Sequence, residues 1–295
     1  DGRLARLPRF GEQTAAKILK SLEILRRTSA FSLVQHAARR AEALRAALAA
    51  LPGVAVVEVA GSLRRRCEVV RDVDLAVAAT VPLRDLADQL VRGAAASATV
   101  SADPDLVTVR LGRDTTADLH GSAPQWFGHR LAWATGSLTH LAQLQRHAAT
   151  RGLQLDATGL TRDGAPLRCP DEVSFYSALG LAWIPPELRE GADEIARAAA
   201  GPLPRLVERS DLRGLLHCHT TYSDGTNSIA ELGEACRALG YAWLGISDHS
   251  QAAAYAGGLD PERVARQHAE IDSWNATSQD LRILKGIEAD ILADG

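Results

Sequence analysis

Two aspartates flank one valine at Asp72-Val73-Asp74, inside an apolar stretch whose composition suits a β-strand. Alternate residues of a strand point to one face, so the two carboxylates converge. Like charges that close need a cation between them or a raised pKa. Taken alone, the pair is equally a solvated strand edge. Eleven residues upstream, however, Gly61-Ser62-Leu63-Arg64-Arg65-Arg66 offers close backbone approach, a hydroxyl and guanidinium donors, which together suit a triphosphate. A third acid, Asp118, lies in a second strand-like segment, Ala117-Asp118-Leu119. Three carboxylates beside a phosphate cradle are what two-metal phosphoryl transfer requires, one ion lowering the pKa of the attacking hydroxyl and the other steadying the leaving pyrophosphate.

The same strand logic recurs with imidazoles. In Leu215-Leu216-His217-Cys218-His219 the two histidines share a face and Cys218 points to packing on the other. A single buried histidine is usually a satisfied core residue. Two at strand spacing, with Asp224 in a Ser-Asp-Gly turn, Ser247-Asp248-His249-Ser250 after the next strand and Gly286-Ile287-Glu288-Ala289-Asp290 after another, make a metal cluster the better reading.

The elements that must position these groups follow from periodicity. Apolar spacing predicts a turn at Pro8-Arg9-Phe10-Gly11 leading into a helix with Ala15, Ile18, Leu19, Leu22 and Leu25 on one face, then a helix over 31–51 stopped by Pro52-Gly53. Strands are predicted at 54–60, 72–78, 106–111 and 115–120, with a helix at 83–93, which describes a small mixed sheet carrying helices. The pattern returns to helix over 124–151 and to short, turn-rich elements over 152–189. The stretch 196–204, with Pro202 and Pro204 around Leu203, reads as a linker. A strand-helix-strand unit over 212–247 follows, of the kind that builds parallel sheets or barrels. His36, His129, His140 and His147 fall on polar helix positions and are expected to be solvated; Trp126 and Trp243 are expected in cores.

Charge is unevenly spread. Residues 1–50 hold ten basic and four acidic side chains, whereas 211–295 hold six basic and thirteen acidic, so the front suits a polyanion and the rear suits cations. Four separated cysteines without a Cys-x-x-Cys pair argue against a disulfide framework and a zinc ribbon and favour a reducing, cytoplasmic setting. No apolar run approaches the ~20 residues of a membrane span. The chain starts on Asp1 and contains no methionine, so it is expected to be a fragment.

On the residues quoted, the sequence resembles the palm of family X DNA polymerases in their bacterial form. The resemblance rests on Gly61-Ser62-x-Arg64-Arg65, Glu68, Asp72-Val73-Asp74, Ala117-Asp118-Leu119 and Thr135-Gly136-Ser137. Glu172, Tyr176, Leu179-Gly180-Leu181 and Ile184-Pro185-Pro186-Glu187-Leu188-Arg189-Glu190 look like the end of that family's thumb. The segment Leu7-Pro8-Arg9-Phe10-Gly11-Glu12-Gln13-Thr14-Ala15 is similar to its second helix-hairpin-helix, whose backbone amides grip a DNA phosphate; by itself it could equally be an ordinary helix turn. The histidine pattern resembles the PHP (polymerase and histidinol phosphatase) domain, a (β/α)7 barrel with three divalent ions at its strand ends.

The resemblance implies a multi-domain α/β chain: a helix-hairpin-helix and fingers region at 1–52, a nucleotidyltransferase palm with a mixed sheet at 53–134, a small α/β thumb at 135–195, a linker at 196–210 and the first part of a PHP domain at 211–295. Three strand-helix units of the seven are expected there, which leaves the barrel partial. It also implies roles. Asp72 and Asp74 would hold both Mg2+ ions, and Asp118 the catalytic one. Gly61, Ser62, Arg65, Trp133, Thr135, Gly136 and Ser137 would line the nucleotide, and Phe10, Gly11 and Thr14 would face DNA. His217, His219, Asp224, His249 and Glu288 would hold Mn2+ or Zn2+ in a site expected to be incomplete in this chain, its exonuclease part truncated. Gapped or primer-template DNA and dNTPs are the implied partners of a monomer working in the bacterial nucleoid, with no membrane involved.

Four positions depart from the family pattern. Trp133-Ala134 stands where the family has Tyr-Phe, His120 follows Asp118-Leu119 where it has Arg, and Leu141 replaces an Asn that reads the minor-groove edge of the incoming pair. The leading expectation is a repair-type DNA polymerase joined to a 3′-5′ exonuclease or phosphoesterase. The alternative is a PHP phosphoesterase whose altered palm serves as a DNA-binding module. A non-enzymatic DNA-end binder is a third reading and would need both metal sites idle.

Overall fold

The computed structural model describes residues 12–28, 31–112 and 115–291. The chain divides between Pro204 and Arg205 into two compact units. The division falls within the stretch expected to be linker, but helical structure persists into that stretch.

The first unit opens with α1 (Glu12–Thr28), β1 (Ser32–Leu33) and α2 (Val34–Ala49). There follow β2 (Val54–Val59), the short α3 (Gly61–Arg64), β3 (Val69–Val70), β4 (Val73–Ala79), α4 (Leu83–Arg92), β5 (Ala98–Ala102), β6 (Leu106–Arg110) and β7 (Thr116–Ser122). Five of these strands form one sheet in the order β2-β4-β7-β6-β5, with β4 and β7 parallel and the other pairs antiparallel. Strand β4 is central and covered on both faces, which is why it reads as an almost unbroken apolar run. Its Val73, Leu75 and Val77 enter one core with Leu44 and Leu48 of α2, Leu86 and Leu90 of α4, and Leu119 of β7. On the other face Ala76 and Ala78 leave room for Phe127 and Leu131 of α5 (Phe127–Thr135). Asp74 belongs to this second face by the period of two, as does Asp118 on β7.

A second core within the same unit joins α6 (Leu138–Thr150), the antiparallel strands β8 (Leu153–Asp156), β9 (Gly159–Arg162) and β10 (Ala165–Pro166), α7 (Glu172–Ala178) and α8 (Glu194–Ala200) around Leu144, Leu155, Phe175 and Ile184. Helix α8 corrects the linker reading: Ile195 and Ala198 are buried in this core, so residues 196–200 are packed structure. His129 and His140 correct the expectation of solvated histidines. Helices α5 and α6 are covered on most sides, and the two imidazoles are 4% and 0% exposed. His36 is exposed, as expected.

The second unit carries β11 (Gly214–Cys218), α9 (Ile229–Ala238), β12 (Trp243–Ile246), α10 (Pro261–Thr277) and β13 (Arg282–Leu284). The three strands are parallel in the order β11-β12-β13. Leu244, Ile246 and Ile283 pack with Ile229 and Ile271 of the two helices, in the manner of a strand-helix-strand repeat. No helix among the described residues is long and apolar enough to cross a membrane.

Candidate active site and metal centre

Parallel pairing of β4 with β7 sets Asp74 opposite Asp118. Asp72 stands one residue ahead of β4. Burial raises the Asp72 carboxyl above its ordinary value, and the charges of Asp74 and Asp118 raise it further. Three acids that repel one another at the half-buried starts of two interior strands are a donor set for divalent cations, with all-oxygen ligands that suit Mg2+. Each partner is also fixed. Thr108, in register with Asp118 on β6, donates its hydroxyl to Asp118 Oδ1 at 2.6 Å, and His120 Nε2 lies 2.9 Å from Asp74 Oδ1. The histidine that departs from the family's arginine therefore still tethers one of the acids.

Gly61 is required by geometry. It has φ +62°, and a Cβ there would stand 2.6 Å from Asp74 Cγ, inside contact distance. The chain passes against Asp74 only because no side chain intervenes, and the Ala60 N–H donates to the Asp74 carbonyl at 2.8 Å. Ser62 follows on the same turn, half-buried.

The Thr135-Gly136-Ser137 turn is brought to α3 by two arginines. Arg64 donates to the Thr135 hydroxyl at 3.0 Å and to both oxygens of Glu172 at 2.7 and 2.9 Å. Arg65 donates to the Thr135 carbonyl at 2.8 Å and to Glu190 Oε1 at 2.6 Å. Arg65, expected on a triphosphate, is here a brace between α3 and the turn. Glu172 is the buried anchor of this region. Burial would raise its carboxyl, but hydrogen bonds from Arg189 and Arg64 outweigh that and hold it at about 2. This four-way connection among Arg64, Arg189, Thr135 and Glu172 was not legible as such from sequence. Trp133 packs against the core around Leu144, its ring 5.9 Å from His129, and Leu141 is a buried member of that core.

The five expected ligands of the second unit converge. His217 Nε2, His219 Nε2 and His249 Nδ1 lie 3.2, 3.0 and 3.3 Å from Glu288 Oε2. Asp224 reaches His219 Nδ1 at 2.8 Å and His249 Nε2 at 3.6 Å. Two overlapping donor groups result, His217-His219-Glu288 and His219-Asp224-His249, each with ligand atoms within 4.8 Å of one another. Three imidazoles and two carboxylates fit Zn2+ or Mn2+. The Asp224 carboxyl is lowered by its hydrogen bond to His219.

The backbone reaches this convergence irregularly. Strand β11 slips register between Leu215 and Cys218, and His217 adopts φ +60°, a left-handed conformation that costs a non-glycine residue about 1–2 kcal/mol. A bulge thus aims the first histidine, and the two rings stack at 5.3 Å. Cys218 packs on the unit's core. Asp248 is a supporting residue whose role no spacing rule pointed to. Fully buried, it accepts from the Thr220 N–H and hydroxyl, both at 2.7 Å, from Ser223 at 2.5 Å and from Gln267 at 2.6 Å. It thereby fixes the turn that presents Asp224. Glu288 is pinned by a parallel bridge to His249. Of the residues expected at DNA, Phe10 and Gly11 lie outside the described residues, and Thr14 is exposed on α1.

Comparison with known proteins follows this division. The DNA polymerase beta thumb matches residues 130–190, and the PHP domain matches residues 216–294. A curated relative, the DNA polymerase/3′-5′ exonuclease PolX of Bacillus subtilis (strain 168), is 34% identical over 290 residues, which is 97% of this chain and 50% of the relative. The chain therefore spans about half the length of the curated relative it matches.

Proposed function

We propose that the chain is a family X DNA polymerase with a PHP domain, which its matches to the polymerase beta thumb, to the PHP domain and to PolX support, and that its first unit adds a nucleotide to a DNA primer 3′-hydroxyl while its second removes nucleotides from DNA 3′ ends. The observation that carries the first half is the Asp74–Asp118 register, with Asp72 charge-coupled to both and Gly61 holding the backbone clear of Asp74. Asp72, Asp74 and Asp118 are the residues that would hold Mg2+. Divalent ions bound there lower the pKa of the attacking hydroxyl and neutralise charge on the phosphates. Ser62, next to Gly61 in the chain, would offer its hydroxyl to the incoming triphosphate. Arg64 and Arg65 keep the Thr135-Gly136-Ser137 turn, the side of the site assigned to the nucleotide, against α3. His120 and Thr108 orient Asp74 and Asp118.

In the second unit His217, His219, Asp224, His249 and Glu288 would hold Mn2+ or Zn2+, which activate water for phosphodiester hydrolysis; Asp248 and the His249–Glu288 bridge keep the donors in place. The substrates are gapped or primer-template DNA and dNTPs. A monomer working in the cytoplasm, at the nucleoid, is part of this proposal. The domain limits read from the sequence are part of this proposal, with the thumb extended through α8.

The test is incubation of the chain with a one-nucleotide gap, the complementary dNTP and Mg2+, read on a denaturing gel. Extension by one nucleotide that disappears in Asp118→Ala is expected. Absence of extension with Mg2+ or Mn2+ would overturn the polymerase half of the proposal.

A further inference from the structure

Beneath the Thr135-Gly136-Ser137 turn runs a buried polar chain that the roles above leave without a task. His140 is completely buried, with Nδ1 2.6 Å from Glu194 Oε1 and Nε2 3.2 Å from the Tyr176 hydroxyl. Burial lowers the imidazole's pKa in spite of Glu194, so the ring is neutral near pH 7, donating from Nδ1 to Glu194 and accepting at Nε2 from Tyr176. With both nitrogens engaged, the ring cannot flip. The turn rests directly on it: a Cβ on Gly136 would stand 2.8 Å from His140 Cδ2. The His140 N–H also caps onto Ser137 Oγ at 3.1 Å, and the Ser137 N–H donates to the Arg189 carbonyl at 3.0 Å. Glu194 Oε1 accepts the Gly191 N–H at 2.9 Å as well, while its Oε2 is buried with no partner among the described residues.

A buried polar chain of this kind stabilises less than apolar packing of the same volume, and what it gains is a defined geometry. Here that geometry is delivered to one place. The turn is clamped from the palm side by Arg65 on the Thr135 carbonyl and from below by the His140 ring.

We propose that His140 and Glu194 are positioning residues for the incoming nucleotide, setting the height of the Thr135-Gly136-Ser137 turn so that the pair tunes affinity for dNTP and leaves affinity for DNA alone. The proposal rests on the assignment of that turn to the nucleotide. It predicts a split that a purely structural role does not produce, because loss of the pair lets the turn sink while the acids on β4 and β7 stay where they are.

The experiment measures single-nucleotide insertion by the full chain, with KM for dNTP and for primer-template taken separately, beside amide hydrogen exchange over residues 136–141. Glu194→Ala is expected to raise KM for dNTP about tenfold, the cost of about one lost hydrogen bond. KM for DNA and kcat should stay within about twofold, and turn amides should exchange faster. Glu194→Gln keeps the Oε1 acceptor and should restore both readouts. If Glu194→Ala does not fold, His140→Phe, which keeps the ring and loses both nitrogens, carries the same expectation. Unchanged dNTP KM in a folded variant, an equal rise in both KM values, or a Glu194→Gln as damaging as Glu194→Ala overturns the proposal. A wild-type chain that inserts no nucleotide counts instead against the polymerase assignment, and the exchange comparison then still decides whether the pair sets the turn.

Discussion

Gly61 sits at φ +62° where β2 passes into α3, and its missing side chain is the space that Asp74 occupies. Gly61→Ala therefore perturbs catalysis and stability by separable amounts. The new methyl would meet Asp74 Cγ at 2.6 Å and Cβ at 2.8 Å, whereas carbon atoms rest at about 3.5–4.0 Å. Asp74 must retreat by about 1 Å, and a misplacement of that size at a reacting centre costs about 100-fold in rate. The shift also breaks the 2.9 Å contact with His120. Alanine in the left-handed region adds about 1–2 kcal/mol of strain, and overpacking about 1–3 kcal/mol more. The control is Gly53→Ala: φ is +84° and the added methyl would meet Val81 Cγ1 at 2.7 Å, so the left-handed strain is shared and the crowding, though milder, falls on no acid. Single-turnover insertion with Mg2+ and thermal unfolding should show both variants destabilised and Gly61→Ala alone slowed about 100-fold. Insertion by Gly61→Ala within about threefold of wild type, or an equal loss in Gly53→Ala, would mean that Gly61 does not set the place of Asp74.

The other predictions concern charge. Because the folded Asp72 carboxyl is raised, by burial first and then by Asp74 and Asp118, its contribution to stability is present below the unfolded value near 3.8 and lost as pH rises above it. Metal-free Asp72→Asn should thus melt above wild type at pH 7.5, with the gap closing toward pH 3, and Mg2+ should raise the wild-type melting temperature far more than the variant's; a variant less stable than wild type without metal would contradict this. Glu172 carries the opposite sign. Its carboxyl is lowered from 4.5 to about 2, so its stabilisation, about 3 kcal/mol, is present above pH 4.5 and lost as pH falls toward 2, and urea unfolding of Glu172→Gln should have a shallower acid limb than wild type. In the second unit His219 belongs to both donor groups and His217 to one. Calorimetric titration with Zn2+ should show His219→Ala losing affinity by more than the 10–100-fold typical of a supporting ligand's removal, with His217→Ala less affected; equal losses would mean that the two groups are not distinct.

The acids and imidazoles were legible because strand periodicity places alternate residues together, and Asp74, Asp118 and His120 obey that rule on β4 and β7. His217 and His219 reach the expected convergence by a bulge and a left-handed residue, which no spacing rule encodes. Among the described residues strand β5 pairs with β6 alone, and it is largely exposed, so Ala98–Ala102 carried no apolar alternation to read. Helix α10 has a plain start in Asp260-Pro261, but only Gln267 and Ile271 of it are buried, and its period is faint. His129 and His140 looked polar-faced along their own helices; their burial comes from α7, α8 and the β8–β9 hairpin, partners distant in sequence. The same long-range character hid Arg64–Glu172–Arg189 and the brace made by Arg65. Asp248 stood next to a recognised ligand, yet its role depends on Thr220, Ser223 and Gln267 closing around it.

Under the proposed function two separate metal centres act on DNA, one adding nucleotides and one removing them. The most direct test assays three proteins on one 3′-recessed duplex: wild type, Asp74→Ala and His249→Ala, each with Mg2+ and dNTPs and, separately, with Mn2+ and no dNTP. Loss of extension confined to Asp74→Ala and loss of degradation confined to His249→Ala is the predicted result. Extension surviving in Asp74→Ala, or either substitution removing both activities in a folded protein, would contradict it.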